Sequence, residues 1–286
     1  MDEPRIHRAV SADGTEIAGR VYGDGPPLVL VHGALADGEL EWGPVVRLLT
    51  EHFSCYLPDL RCRGLSGQSE DLAPERLVED VTAFVDSIGS PVGLAGASGG
   101  GMYVLAAAAR SAAVVAVAAW EPVVFEVVDD QLVAEFQGVL ERMGAEHADG
   151  RDVEAATTFL AFVGNDEEMS ALAASGSLAE CARYVPVDLT EIQQAFEEQG
   201  PTPTDPTVLA QITAPVLLLA GTESRQGEWF GRGVRFAAEH LPDAQVREIS
   251  GIGHLTHEVR PEPLTRELRE FFATTLEKAP ESSQVS

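Results

Sequence analysis

The sequence predicts an α/β protein, a mostly parallel doubly wound sheet interrupted by a helical insertion. Short continuous apolar runs such as Pro27–Val31, Val92–Ala95 and Pro215–Ala220 have strand length but do not alternate. That pattern fits strands buried on both faces, as parallel strands are. Helical spacing fills the gaps between most of these runs, which is the rhythm of crossover connections. From about Phe125 to Thr207 the rhythm stops and only helical periodicity remains.

In chain order, residues 5–22 alternate around Asp13-Gly14, a turn pair joining two short strands. The buried run Pro27–Val31 follows, then a helix over Trp42–Glu51 and a strand over Phe53–Leu57. A helix at Pro74–Ile88 leads to the strand Val92–Ala95, a helix from Met102 to Arg110, and the strand Val114–Trp120. The insertion carries helical spacing at Val127–Met143, Val153–Val163 and Leu189–Gln199. Beyond it come the strand Pro215–Ala220, a helix at Gly231–His240, a strand at Gln245–Ile249 and a helix at Glu262–Leu276. The expected organisation is a core of residues 1–122 and 208–278, an insertion at 123–207 and a flexible tail at 279–286.

Composition narrows the function classes. With 45% apolar residues the chain can bury a substantial core, unlike a disordered chain. Nineteen Lys and Arg against 46 Asp and Glu give a formal charge of −27. Such a field repels phosphate backbones and anionic lipids, so neither nucleic acid nor a membrane is an expected partner. Three cysteines without a C-x-x-C pair fit a reducing compartment better than a disulfide framework or a zinc site. No secretory signal is read in Met1–Val10, and no apolar run approaches the ~20 residues of a membrane span. The expected location is therefore cytoplasmic, as a monomer or homodimer. With no P-loop, dinucleotide fingerprint or metal cluster in the sequence, no cofactor is expected.

Three motifs carry the chemistry. Gly96-Ala97-Ser98-Gly99-Gly100 is a G-x-S-x-G that ends a buried strand and opens a helix. Small residues let the backbone turn sharply there and lift the Ser98 hydroxyl to the positive end of that helix. Val31-His32-Gly33-Ala34 ends the first buried strand. Its Ala34 amide, with that of Gly99, can hold a developing oxyanion. Ser250-Gly251-Ile252-Gly253-His254 leaves the last strand on a Gly-flanked loop, placing His254 to take the Ser98 proton. His257 is the rival base, and His32 reads as a structural turn residue.

These motifs, with the stretch Asp59-Leu60-Arg61-Cys62-Arg63-Gly64-Leu65-Ser66-Gly67 between them, resemble the α/β-hydrolase superfamily in order and spacing. The resemblance runs over roughly residues 15–276 apart from the insertion. It implies an α/β-hydrolase fold with residues 123–207 as a helical cap over the substrate, and a mainly structural Asp59. It also implies an acidic third partner, usually Asp in a Gly-x-x-Asp turn after the penultimate strand. Here that turn reads Gly221-Thr222-Glu223-Ser224, with Ser224 in the expected place. Glu223, one residue early, is the preferred acid, and Glu121 in Trp120-Glu121-Pro122 is the alternative.

A serine at the elbow suits acyl chemistry, so the expected activity is hydrolysis of a small carboxylic ester, thioester or lactone with an apolar acyl part. A C–C bond hydrolase or a cofactor-free perhydrolase is the enzymatic alternative, and a non-catalytic small-ligand receptor is the alternative of another class. Leu132, Phe136, Phe159 and Phe162 have spacing compatible with a pocket wall or with plain core packing.

Overall fold

A computed structural model of the chain describes residues 3–276, so the tail at 279–286 lies outside the described residues. Eight strands form one sheet: β1 (Arg5–Val10), β2 (Glu16–Tyr22), β3 (Pro27–Val31), β4 (Ser54–Pro58), β5 (Val92–Ala97), β6 (Val114–Trp120), β7 (Val216–Gly221) and β8 (Ala244–Ile249). Their spatial order is β1-β2-β4-β3-β5-β6-β7-β8. The β1–β2 and β2–β4 pairs are antiparallel and the remaining pairs parallel. This is the α/β-hydrolase arrangement that the sequence predicts.

The continuous apolar runs are buried on both faces. In β3, Val29 and Val31 enter one core while Leu28 and Leu30 enter the other. In β7, Val216 and Leu218 face the first core and Leu217 and Leu219 the second. Helices cover both faces: α1 (Gly38–Leu49), α2 (Pro74–Ser87) and α3 (Ser98–Arg110) precede β6. Between β6 and β7 come α4 (Asp130–Ala148), α5 (Asp152–Val163), α6 (Asp166–Ser175), α7 (Ser177–Cys181), α8 (Val185–Glu197) and α9 (Pro206–Leu209). The chain closes with α10 (Gly227–His240), α11 (Thr256–Val259) and α12 (Glu262–Leu276).

Several helix bounds need adjusting, α1 starting at Gly38 rather than Trp42, α4 at Asp130 rather than Val127 and α10 at Gly227 rather than Gly231. The helix expected from Met102 begins at Ser98, because Gly100 and Gly101 in its first turn let it pack where a side chain would crowd its neighbours. A Cβ on Gly100 would stand 2.4 Å from the His32 carbonyl oxygen. The helix expected from Leu189 begins at Val185, since Pro186 sits in its first turn, where the missing N–H costs nothing.

The chain runs from β3 outward to β4 and then crosses to β5 on the other side. That reversal opens a crevice at the carboxyl ends of β3 and β5, where open α/β sheets bind ligands. The inserted helices stand over this edge on a third apolar cluster that includes Phe159, Leu160, Tyr184 and core residues Leu35 and Phe230. Polar contacts tie them down: Gln194 Oε1 accepts from the Leu72 amide (2.6 Å), and Arg225 Nε donates to the Gly164 carbonyl (2.8 Å).

Candidate active site

Four strand ends converge on the crevice. β5 ends at Ala97 and the next residue, Ser98, has φ +53°, a left-handed conformation that costs about 1–3 kcal/mol in a non-glycine residue. The Gly99 amide, in the first turn of α3, has no helical partner, as expected at a helix start. At the end of β3, Gly33 approaches so closely that a Cβ there would lie 3.2 Å from that of Ser98. Ala34, Ser98 and Gly99 all border the same pocket.

His254 follows β8 and is buried at 2% exposure. Its ring stacks on Phe230, with centroids 4.3 Å apart and planes 5° from parallel. Its backbone carbonyl accepts from the Trp120 indole (2.8 Å), which fixes the loop to β6. Its Nδ1 lies 2.7 Å from Glu121 Oε2, and both side chains are shut off from water. Glu121 follows β6 with φ +40°, and its other oxygen accepts from the Gly221 amide (2.8 Å) and the Ser224 hydroxyl (2.7 Å). A carboxylate with these partners leaves Nδ1–H as the donor and Nε2 free to accept a proton.

Glu223, the preferred acid in the sequence, is exposed, and it is its backbone carbonyl that makes a contact, accepting from Asn165 Nδ2 (3.1 Å). The physical reason is reach: Glu121 leaves the adjacent strand pointing at the imidazole, whereas the β7 turn presents Ser224 and the Gly221 amide inward and Glu223 outward. Between the two candidates, the structure brings Glu121 to His254.

His32 is buried, with Nδ1 donating to the Gly33 carbonyl (2.8 Å) and Nε2 accepting from the Leu60 amide (3.0 Å). Burial and the nearby Arg63 lower its pKa, so it stays neutral as a brace for the turn. Asp59 likewise orders backbone, accepting from the amides of Gly38 (3.0 Å) and Leu65 (2.7 Å). His257 is buried away from the pocket, its Nε2 3.7 Å from Glu41 Oε1 and 3.9 Å from Glu258. Burial acts to lower its pKa, but Glu41, Glu258 and Glu168 together outweigh this and the net shift is upward.

Burial pushes the Glu258 carboxyl up to about 7 despite His257 beside it. An acid whose folded pKa is raised holds a proton that the unfolded chain has already lost, so its contribution falls as pH rises from about 4.5 to 7. Glu258→Gln, which cannot ionise, should therefore stabilise the protein by about 1–3 kcal/mol at pH 8 and by little near pH 4. Urea melts at both values check this, and equal or lower stability of the variant at pH 8 contradicts it.

The pocket wall beyond Ser98 is apolar. Leu132, Phe136, Phe159 and Phe162, whose sequence spacing allowed either role, line it together with Phe196 and Trp229. At one side stand Tyr103, Asp188 and Glu191. They surround the buried Arg63, which pairs with Asp188 (3.1 Å) and with Glu191, while the Tyr103 hydroxyl donates to Glu191 (2.7 Å). Burial raises the Asp188 pKa to about 6 against the pull of Arg63. No Lys, Arg or His is among the described residues that line this pocket.

The sequence reading missed Glu41 and Asp188. Each had a signal, an acid on an apolar helix face: Glu41 beside buried Trp42 and Val45, and Asp188 between Val185 and Ile192. Among the described residues no cluster of three or more His, Cys, Asp or Glu is placed to hold a metal ion. No described helix is long and apolar enough to cross a membrane.

A serine at a strand-to-helix turn, a buried histidine–carboxylate pair and a pocket at the sheet's switch point define a hydrolase-type site on an α/β scaffold. The chain belongs to the alpha/beta hydrolase family, whose description it matches over residues 28–267. It is similar in structure to an alpha/beta hydrolase of Sphaerobacter thermophilus DSM 20745, at 27% identity and a TM-score of 0.71, covering 93% of this chain and 100% of that one. It shares its fold with the esterase RhEst1 of Rhodococcus sp. ECU1013, at 22% identity and a TM-score of 0.76, covering 94% and 99%. A 102-residue segment is 31% identical to pyrrolizixenacetamide deacetylase of Xenorhabdus hominickii. That segment spans 35% of this chain and only 38% of the relative.

Proposed function

We propose that the protein is a serine hydrolase that cleaves small, uncharged carboxylic esters, thioesters or lactones with an apolar acyl part, through an acyl-enzyme on Ser98. The observation that carries this is the buried His254–Glu121 pair at 2.7 Å, with Glu121 and Ser98 (φ +53°) each following one of two paired residues, Trp120 and Ala97, of neighbouring strands. In this mechanism Ser98 Oγ attacks the carbonyl carbon while His254 Nε2 takes its proton. Glu121 fixes the imidazole tautomer and stabilises the imidazolium, and Phe230 holds the ring plane. The amides of Ala34 and Gly99 bind the oxyanion, and His254 returns the proton to the leaving group. Water then repeats the cycle on the acyl-enzyme.

The pocket supports the choice of neutral substrates. A diketone acid, the substrate type of C–C bond hydrolases, carries a carboxylate into a wall whose nearby cation, Arg63, is already matched by two acids. Burying that anion without a partner is costly. The inserted helices supply most of the apolar wall, and we assign them the role of a cap that selects the acyl group.

The test is intact-mass measurement after incubation with a fluorophosphonate, which requires an activated serine but no natural substrate. Wild type should take up one label rapidly and Ser98→Ala none. Absence of label on folded wild type, or its persistence on Ser98→Ala, overturns the assignment.

A further inference from the structure

Ala34 sits between two amides that are both tied to buried carboxylates. The Gly33 amide donates to Glu41 Oε2 of α1 at 2.9 Å, and the Leu35 amide donates to Asp188 Oδ1 of α8 at 3.1 Å. The carbonyl of Gly33, which belongs to the same peptide unit as the Ala34 N–H, is held by His32 Nδ1 at 2.8 Å. The Ala34 N–H itself has no acceptor among the described residues. Leu35 adopts φ +57°, a conformation that a leucine keeps only when its surroundings impose it.

Each bond removes one way for this loop to relax. Glycine at position 33 offers little steric resistance to a peptide flip, and a flip would turn the Ala34 N–H away from Ser98. Holding the carbonyl of that peptide and the amides on both sides makes the flipped state lose buried hydrogen bonds. Arg63 offsets the charge of Asp188, and Glu41 faces the His257 ring, whose pKa it helps to raise. Glu41 Oε1 lies 3.7 Å from His257, and Asp188 lies 3.1 Å from Arg63. Glu41 and Asp188 are exposed by only 3% and 1%.

We infer that Glu41 and Asp188 together clamp the 33–35 loop so that the Ala34 amide points at the oxyanion. This makes Asp188, carried by an inserted helix, a positioning residue for a site whose reacting groups all lie on the core. The inference rests on the serine-hydrolase reading. It goes further by making the inserted helices part of the rate-determining geometry as well as of the pocket wall.

The test compares wild type, Asp188→Ala, Asp188→Asn and Glu41→Gln in three readouts. These are phosphonylation rate, kcat and KM for p-nitrophenyl butyrate, and hydrogen exchange of the segment 33–36. Losing a whole oxyanion donor costs about 10²–10³-fold, so misaiming one in Asp188→Ala should slow acylation about 10–100-fold with KM within about threefold. Exchange of the segment should quicken. Asp188→Asn and Glu41→Gln, which keep an oxygen acceptor, should stay within about fivefold of wild type. If Asp188→Ala does not fold, Asp188→Leu, which also lacks an acceptor but keeps the volume, takes its place, and the Asn and Gln variants remain the controls. Either one acylating more than about tenfold slower while its loop stays protected from exchange contradicts the clamp. So does Asp188→Ala acylating at the wild-type rate with an unprotected loop. An inert wild type removes the hydrolase reading and the clamp's role with it, whereas a reactive wild type whose acceptor-less position-188 variant acylates equally fast removes the clamp alone.

Discussion

Glu121→Gln is expected to lower kcat about 10³–10⁴-fold, and Glu223→Gln to leave it within about twofold. Glu121 Oε1 accepts from two donors, the Gly221 amide and the Ser224 hydroxyl, so the single amide oxygen of a glutamine stays there. The glutamine NH₂ then faces His254 Nδ1, which must turn from donor to acceptor. The proton moves to Nε2, and the imidazole can no longer take one from Ser98. The geometry survives and the chemistry stops. Glu223 is exposed and its carboxylate bonds nothing near the imidazole, so neutralising it removes only a surface charge. Steady-state rates on an activated ester, with phosphonate labelling beside them, check both variants. Equal losses in the two would return the third position of the triad to the β7 turn.

Arg61→Ala should cost about 3–5 kcal/mol in urea unfolding, the usual range for breaking a buried pair from one side. The guanidinium is fully buried and clasps Asp80 of α2 through two bonds of 2.7 Å. It also reaches Asp13 in the β1–β2 turn (2.9 Å) and the Asp71 carbonyl (2.8 Å). Removing it strands a buried carboxylate and loosens the β1–β2 turn, the Asp71 stretch and α2, all of which it joins. Replacing both partners by apolar residues, Arg61→Met with Asp80→Leu, should lose less than Arg61→Ala alone, because no fully buried charge is left unpaired and Asp13, the remaining partner, is part-exposed. A double variant as unstable as the single one would show that the geometry of the clasp, rather than its charge, matters.

Most of the fold was legible because it depends on local pattern. Runs such as Leu28–Val31 and Val216–Ala220 are apolar throughout, and only a strand buried on both faces needs that. Ser98 and His254 were legible for a related reason: a tight turn and a Gly-flanked loop leave marks in neighbouring residues. The carboxylate left no such mark. Choosing between Glu121 and Glu223 depends on which of two neighbouring strand ends points at the imidazole, and the sequence does not carry that angle. Glu121 even precedes Pro122 while holding φ +40°, where a residue before proline ordinarily takes an extended conformation. The short helices α6 and α7 went unread because α6 is only weakly amphipathic and stops at Gly176, and α7, which starts there, has five residues. Asp188 and Glu41 were visible as interruptions of apolar faces, but their partners, single amides in one loop, were not.

The turn after β7 touches both halves of the molecule. Its inner side, the Gly221 amide and Ser224, supports Glu121, while its outer side meets the inserted helices through the Glu223 carbonyl and Arg225. The Thr222 hydroxyl accepts from the Gly251 amide (2.9 Å), in the loop that leads to His254, while the Glu223 side chain is exposed. One short turn thus braces Glu121, the His254 loop and the inserted helices at once, so a shift of the roof is passed through it to carboxylate and imidazole alike.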